Sequence, residues 1–216
     1  MAPGKTAPTG AYERGLRRRG YSAVAGVDEA GRGALVGAVV AAAVILPERG
    51  RYDWSGIRDS KLLTPGQREA AFGRIVAGAL AVGVGAASPR LIDEVNILKA
   101  TLGAMRSAIL RLSRRLSPDY ILIDGNHIPP ELELPSEAIV GGDRMVLCIA
   151  AASIIAKVTR DRLMTRLDAL HPGYQLAKHK GYATPDHLRI LGELGATKHH
   201  RFSFEPVREA KLRLDI

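Results

Sequence analysis

The chain has very little cysteine. Among its 216 residues there is one, Cys148, so no disulfide can form within the chain. It stands in the apolar run 146–152, which is typical of a small buried core residue rather than of a nucleophile. Low cysteine content fits a reducing compartment, and we expect a cytoplasmic protein.

The chain also lacks a long hydrophobic run. Its longest apolar stretch, around residues 34–46, contains glycine and is too short to cross a bilayer as a helix. Residues 1–20 are polar and lack the apolar segment of a signal peptide. We therefore expect no association with a membrane.

Acidic residues are in deficit. The chain has 22 aspartates and glutamates against 31 lysines and arginines, which gives a formal net charge of +9. A hydrophobic share of 46% and a charged share of 25% are ordinary for a soluble globular protein. The excess of positive charge favours a polyanionic partner, and nucleic acid is the first class to consider.

Alternating strand and helix patterns predict an α/β fold with a mixed central sheet flanked by helices. Strand-like runs cover residues 22–27, 35–46, 82–87, 120–123 and 138–140. Helical patterns cover residues 65–80, 97–116 and 145–170, and further helices begin at Pro185 and after Pro206. We expect a flexible basic arm at 1–20, a catalytic domain at 21–183 and a C-terminal helical region at 184–216.

The most informative segment is residues 24–33, with the sequence VAGVDEAGRG. Two adjacent carboxylates, Asp28 and Glu29, follow a strand-like run, and their like charges resist joint ionisation unless a proton or a metal cation relieves them. In the loop of Gly31, Arg32 and Gly33, backbone amides can approach a ligand closely and a guanidinium can bind phosphate. The segment suggests metal-assisted chemistry on a phosphodiester; the alternative is a strand end with solvated acids.

Two further acids stand at comparable places in the chain. Asp124 ends the strand-like run 120–123, and Asp143 precedes the longest helical pattern. Because ligands collect at strand ends in open α/β sheets, both can converge with Asp28 and Glu29. Four carboxylates favour Mg²⁺ or Mn²⁺, and two such ions can activate a water and stabilise the leaving oxygen. Taken singly, Asp124 as a turn former and Asp143 as a helix cap are the simpler interpretations.

Basic and aromatic side chains offer contacts for nucleic acid. Lys61, in a polar loop, can hold a phosphate, although a free surface lysine is the commoner outcome. Tyr182 stands among basic residues and can stack on a sugar or base, although half-buried packing is the commoner role.

Other polar residues have less specific patterns. Lys157 lies among apolar residues, and we expect it to be partly buried beside a carboxylate. Arg160 and Asp161 are expected to form a pairing at the surface or between elements. The adjacent His199 and His200 fit either a basic patch or a proton relay.

A set of motifs now connects these residues. In chain order they are GVDEAGRG, DSKL, ILIDGN, GGDRMVLCIAAASIIAKVTRDRLM, HKGYATPDH and HHRFSFEPV. From about Tyr21 to Val207 the chain resembles the bacterial ribonuclease HII family. It departs from the family pattern at Ala34, where proline is usual after the glycine-arginine-glycine loop, and at Leu62, where a second lysine is frequent.

The resemblance implies a ribonuclease H-like fold with a small C-terminal helical region. It implies hydrolysis of RNA in RNA–DNA hybrids, and incision on the 5′ side of single ribonucleotides in duplex DNA, which leaves 3′-hydroxyl and 5′-phosphate ends. It assigns two Mg²⁺ or Mn²⁺ ions to four ligands: Asp28, Glu29, Asp124 and Asp143.

Substrate contacts follow from the same resemblance. Gly31, Arg32 and Gly33 would contact the ribonucleotide 2′-hydroxyl, which distinguishes RNA from DNA. Tyr182 would pack on the deoxyribose that follows the ribonucleotide, and Lys61 would bind phosphate. We expect a monomer that binds hybrids and ribonucleotide-containing DNA. The alternatives are a non-catalytic nucleic-acid-binding module and a two-metal nuclease of the same fold that acts on branched DNA.

Overall fold

The computed structural model describes residues 8–48 and 53–214, with side chains up to Ala210. Within this part of the chain a five-stranded sheet has the order β3-β2-β1-β4-β5. The strands are β1 (Val24–Ala30), β2 (Val39–Ile45), β3 (Ala81–Ala87), β4 (Tyr120–Asp124) and β5 (Ser136–Ile139). Strand β1 is antiparallel to β2 and parallel to β4, so the predicted mixed α/β sheet is confirmed.

Eight α-helices accompany the sheet in the described residues. They are α1 (Ala11–Arg18), α2 (Pro65–Gly78), α3 (Pro89–Val95), α4 (Ile97–Ser113), α5 (Leu147–Leu170), α6 (Leu176–His179), α7 (Pro185–Leu194) and α8 (Glu205–Leu214). Thr64 caps α2 in a capping box with Gln67, as the Thr-Pro pair predicts. None of the helices described here is long and apolar enough to span a membrane.

Glycines let the two longest helices lie close to the sheet. A Cβ at Gly26 of β1 would lie 2.2 Å from the backbone of Cys148 in α5, on one face. On the opposite face, a Cβ at Gly83 or Gly85 of β3 would lie 2.1 Å from a carbonyl oxygen of α4. The sheet is therefore covered on both faces, and β2 is buried along its whole length, as its run of alanine and valine predicts.

Two strand boundaries differ from the prediction by three residues or more. Strand β1 continues through Asp28 and Glu29 to Ala30, because these residues pair with Ala42, Ala41 and Val40 of β2. Strand β2 begins at Val39 rather than at residue 35. Residues 34–36 instead form isolated bridges with the C-terminal part of the chain, Ala34 with Tyr182 and Val36 with His200.

The expected flexible arm at residues 1–20 is wrong for residues 11–18, which form α1; residues 1–7 lie outside the described residues. Glu13 and Leu16 of this helix are buried, and the Glu13 carboxylate accepts a 2.7 Å hydrogen bond from the Cys148 N–H in the first turn of α5. The helix is therefore ordered because it caps α5 from outside. Burial, and then the Glu13 charge, raises the pKa of the Cys148 thiol, which is the core residue that the sequence predicts.

The C-terminal helices pack on the same body. Leu191 of α7 and Val207 of α8 form a small apolar cluster with Leu35. The division of the chain at residue 184 stays a prediction.

The contact between α1 and α5 predicts a stability effect. Glu13→Ala leaves the buried Cys148 N–H without its acceptor, which we expect to lower the free energy of unfolding by about 1–3 kcal/mol. Arg18→Ala, on the exposed side of the same helix, is the control and should have little effect. Urea unfolding measures both, and an equal loss in the two variants would contradict the capping role.

Candidate active site

A cavity of about 440 Å³ opens where β1 and β4 end. Its lining comprises Asp28, Glu29, Ala30, Gly31, Arg32, Gly33, Ser60, Lys61, Asp124, Ser153, Lys157 and Tyr182. The structure thus brings together every site residue selected from the sequence except Asp143, which lies outside the lining. Their individual roles stay predictions.

The acids of the cavity come from two neighbouring parallel strands. Val27 of β1 pairs with Ile123 of β4, so Asp28 and Asp124 occupy the next positions at the same end of the sheet. Asp28 is 5% exposed, and burial, then Glu29, then Asp124 raise its pKa well above the usual value. Burial also raises the pKa of Glu29, although Arg32, 3.4 Å away, opposes the effect.

Asp143 approaches the same group from a short 3₁₀ turn, residues 142–144. Burial raises its pKa first, and Asp59 and then Asp124 raise it further. The neighbouring Gly142 permits this approach, because a Cβ there would lie 2.7 Å from Ile149 and 3.4 Å from Asp124 Oδ1. The buried Asp59, which the sequence analysis does not select, accepts the Lys61 N–H and pairs with Arg144 at 3.4 Å.

The donor set fits a divalent cation. Within residues 8–48 and 53–214, no three acidic, histidine or cysteine side chains are arranged so that they could already hold a metal ion together. Yet Asp124 Oδ1 is buried and has no hydrogen-bond partner, while Asp28, Glu29 and Asp143 all have raised pKa values. An unsatisfied oxygen among mutually repelling carboxylates is an arrangement that a hard cation stabilises.

Two buried guanidinium groups hold the segment from Gly31 to Ala38. Arg201 donates to the carbonyl oxygens of Gly31 and Arg32, both at 2.8 Å, and to that of Gly37. Arg160 donates to the carbonyl oxygens of residues 36, 38 and 180. A surface location is therefore wrong for Arg160, which is 1% exposed and bound to backbone, whereas Asp161 does pair between elements, with Arg68 of α2 at 3.8 Å.

The orientation of this loop follows from peptide geometry. No cis peptide bond occurs in the described residues, so each N–H points away from the preceding carbonyl oxygen. Since Arg201 binds the oxygens of Gly31 and Arg32, the N–H groups of Arg32 and Gly33 point away from Arg201. Two backbone donors are thereby available on the other side of the loop.

Cations and hydroxyls complete the cavity. The ring of Tyr182, 37% exposed, has Lys157 Nζ at 5.9 Å and Arg160 Cζ at 5.4 Å from its centroid. Lys157 forms a 2.7 Å ion pair with Asp161, so its predicted partial burial beside a carboxylate is confirmed. Ser60 and Ser153 share a hydrogen bond of 3.0 Å.

Three contributors to this site could not be recognised from the sequence, and His200 differs from one of its two predicted roles. Asp59, Ser153 and Arg201 all lie inside the quoted motifs but give no pattern of their own, since Asp59 looks like any other acid in a loop. His200 is 1% exposed, and burial, followed by His187, lowers its pKa to about 4. Of the two interpretations of His199 and His200, the basic patch is therefore wrong for His200, which is buried and neutral, and the proton relay stays a prediction.

Comparison with solved structures identifies the class of fold. Ribonuclease H2 from Pyrococcus horikoshii OT3 superposes with a TM-score of 0.73 at 29% identity, over 89% of this chain and 98% of that one. Bst-RNase HIII, solved in complex with Mn²⁺, superposes with a TM-score of 0.73 at 16% identity, over 88% of this chain and 70% of that one. The fold is that of the ribonucleases H.

Comparison of sequences narrows the class to a family. The family model for ribonuclease HII matches residues 25–207. The ribonuclease HII of Geobacter sulfurreducens is 51% identical over 198 residues, which cover 92% of this chain and 89% of the relative. The chain belongs to the ribonuclease HII family. It is an endoribonuclease of ribonuclease H type 2, a metal-dependent hydrolase that acts on nucleic acid.

The packing of the loop predicts a large loss of stability for an alanine at one of its glycines and almost none at the other. Gly31 has φ +95°, and a Cβ there would lie 1.9 Å from Arg160 Nε, so Gly31→Ala should lower the free energy of unfolding by about 2–4 kcal/mol. A Cβ at Gly33 meets nothing within 4 Å, and Gly33→Ala should change stability by less than about 0.5 kcal/mol. Denaturant unfolding of both variants checks this; equal stability would contradict the packing.

The repulsion among the acids predicts a metal-dependent stability difference. The pKa of Asp28 is raised on folding, so its ionisation at neutral pH costs stability. In EDTA, Asp28→Asn should therefore melt above the wild type, by about 2–4 °C for each kcal/mol of repulsion removed. Mg²⁺ or Mn²⁺ should stabilise the wild type more than the variant.

Asp186→Asn is the control for that experiment. Lys178 lowers the pKa of Asp186, so removing this charge should not raise the melting temperature. Scanning calorimetry gives all the values. A lower melting temperature for Asp28→Asn than for the wild type in EDTA would contradict the account.

Proposed function

We propose that the enzyme hydrolyses RNA in RNA–DNA hybrids and cuts duplex DNA on the 5′ side of a single ribonucleotide. The observation that supports this is the cavity itself, because it joins Asp28, Glu29 and Asp124 to the Gly31–Gly33 loop and to Tyr182. Acids that can support phosphodiester hydrolysis thus lie next to groups that can contact the sugar of a nucleotide. The products would carry 3′-hydroxyl and 5′-phosphate ends, and no covalent intermediate with the protein forms.

Four carboxylates would hold the metal ions, Asp28, Glu29, Asp124 and Asp143. Two Mg²⁺ or Mn²⁺ ions would supply Lewis-acid activation of water and neutralise charge at the phosphate. The chain's part is to hold these oxygens fixed at the end of the sheet. Asp28 is oriented by the 2.6 Å hydrogen bond that its Oδ1 accepts from the Glu29 N–H.

The other lining residues would orient the substrate. The N–H groups of Arg32 and Gly33 point away from Arg201 and can contact a ribose 2′-hydroxyl, while Arg32 itself, nearly half exposed, can reach a phosphate. Lys61 and Lys157 place positive charge on the path of the backbone. Tyr182 offers an exposed ring for packing on the following deoxyribose.

We also propose that the enzyme acts as a cytoplasmic monomer without membrane partners. A non-catalytic binding module is the first alternative, but acids in the cavity would repel phosphate unless metal were present. A two-metal nuclease for branched DNA is the second, and indifference to a 2′-hydroxyl would favour it.

The deciding assay uses a labelled DNA duplex that contains one ribonucleotide. With Mg²⁺ or Mn²⁺ we expect a single cut on its 5′ side and no cut in an all-DNA duplex. Asp28→Asn should lose several kcal/mol of transition-state stabilisation, about 10³-fold in rate or more, while it still binds the duplex.

Each other outcome has a definite meaning. Equal cutting of the all-DNA duplex, or preference for a branched one, would show a nuclease that does not read the 2′-hydroxyl. Metal-independent binding without cleavage by either metal would support the binding module. Full cleavage by Asp28→Asn would overturn the assignment of the carboxylates.

A further inference from the structure

A chain of side-chain hydrogen bonds runs through the protein interior to the backbone of Tyr182. The Thr197 N–H donates to His200 Nδ1 at 3.0 Å, and His200 Nε2 lies 3.3 Å from His187 Nε2. His187 Nδ1 lies 2.9 Å from the carbonyl oxygen of Tyr182. His187 is 0% exposed and His200 is 1% exposed, so water does not compete for these bonds.

The partners fix the proton on each ring. His200 Nδ1 accepts from a backbone N–H, so its proton must be on Nε2. A carbonyl oxygen can only accept, so His187 carries its proton on Nδ1 and offers the lone pair of Nε2 to His200. Burial lowers the pKa of both rings, that of His200 to about 4, so each is neutral at pH 7 and the pattern is self-consistent.

The chain ends at a functional position. The Tyr182 carbonyl oxygen also accepts the Thr184 N–H at 2.8 Å, and Ala34, which follows the glycine-arginine-glycine loop, forms a bridge with Tyr182. The Thr184 hydroxyl in turn accepts the His187 N–H and so caps α7. His187 is therefore a rigid donor to the residue whose ring borders the cavity.

We propose that His187 and His200 are positioning residues that hold the Tyr182 ring at the substrate through this directed chain of hydrogen bonds. The inference rests on the proposed contact of Tyr182 with substrate. Neither histidine lines the cavity, so any effect on cleavage must pass through another residue. His200 acts by fixing the tautomer of His187, and His187 acts by fixing the Tyr182 backbone.

Two near-isosteric variants separate this role from general packing. His187→Asn keeps a donor near the Nδ1 position, whereas His187→Gln keeps a polar atom near Nε2 and loses the donor to Tyr182. We expect His187→Asn to retain cleavage of the single-ribonucleotide duplex and His187→Gln to lower kcat/KM by about ten- to a hundredfold through misplacement of the ring. His199→Gln, beside the chain but outside it, should keep wild-type activity.

A double-mutant cycle tests whether the effect passes through the ring. In a Tyr182→Ala background, His187→Gln should cause no further loss, because the ring that it positions is gone. Losses that add fully, or equal losses in the Asn and Gln variants, would overturn the inference. Wild-type activity in Tyr182→Ala would also overturn it, while cleavage by the wild type would leave the proposed function intact.

A measurement on the unaltered protein avoids variants that fail to fold. Long-range ¹H–¹⁵N NMR of the histidine rings distinguishes a proton on Nδ1 from one on Nε2. We expect the Nδ1–H form for His187 and the Nε2–H form for His200 at pH 7. The opposite pair of tautomers would overturn the proposal, whatever the variants do.

Discussion

The structure of the site depends on the burial of two guanidinium groups against backbone carbonyl oxygens. Arg160 and Arg201 together bind the segment from Gly31 to Ala38, in the place where another chain would use a strand ladder. Their charges repel each other: burial, and then Arg160, lowers the pKa of Arg201 to about 9. Hydrogen bonds to the carbonyl oxygens offset this cost, so displacement of the segment would leave two buried guanidinium groups without their acceptors.

The acids of the cavity and the two buried arginines therefore lie on opposite sides of one short loop. The acids at the ends of β1 and β4 repel one another on the cavity side, and the two arginines repel each other on the interior side. Helix α5 contributes side chains to both sides of the loop. Ser153 and Lys157 line the cavity and Arg160 lies in the interior, and the three follow one another at spacings of four and three residues along one face. The close contact at Gly26 places the first turn of α5 against β1, and Glu13 of α1 caps the same turn.

Much of the fold and of the candidate site could be predicted from the sequence, for physical reasons that differ between elements. The alanine and valine run of β2 and the Thr64 cap of α2 are local signals, and both are confirmed. The continuation of β1 through Asp28 could not be predicted, because strand pairing with β2 overrides the unfavourable adjacency of two acids. The burial of Arg160 could not be predicted either. Its partners are backbone carbonyl oxygens, and because every residue has one, they leave no pattern in the sequence.

Residues 181–201 show why the loop and Tyr182 act as one unit. The Leu35 N–H donates to the Gly181 carbonyl oxygen, and the Arg201 N–H donates to the Leu35 carbonyl oxygen, both at 2.8 Å. Displacement of the C-terminal segment would therefore move the glycine loop and the tyrosine together, rather than either alone. Under the proposed function, a substrate that fits the glycine loop would also be positioned for Tyr182, so the two proposed sugar contacts would be coupled through these backbone hydrogen bonds.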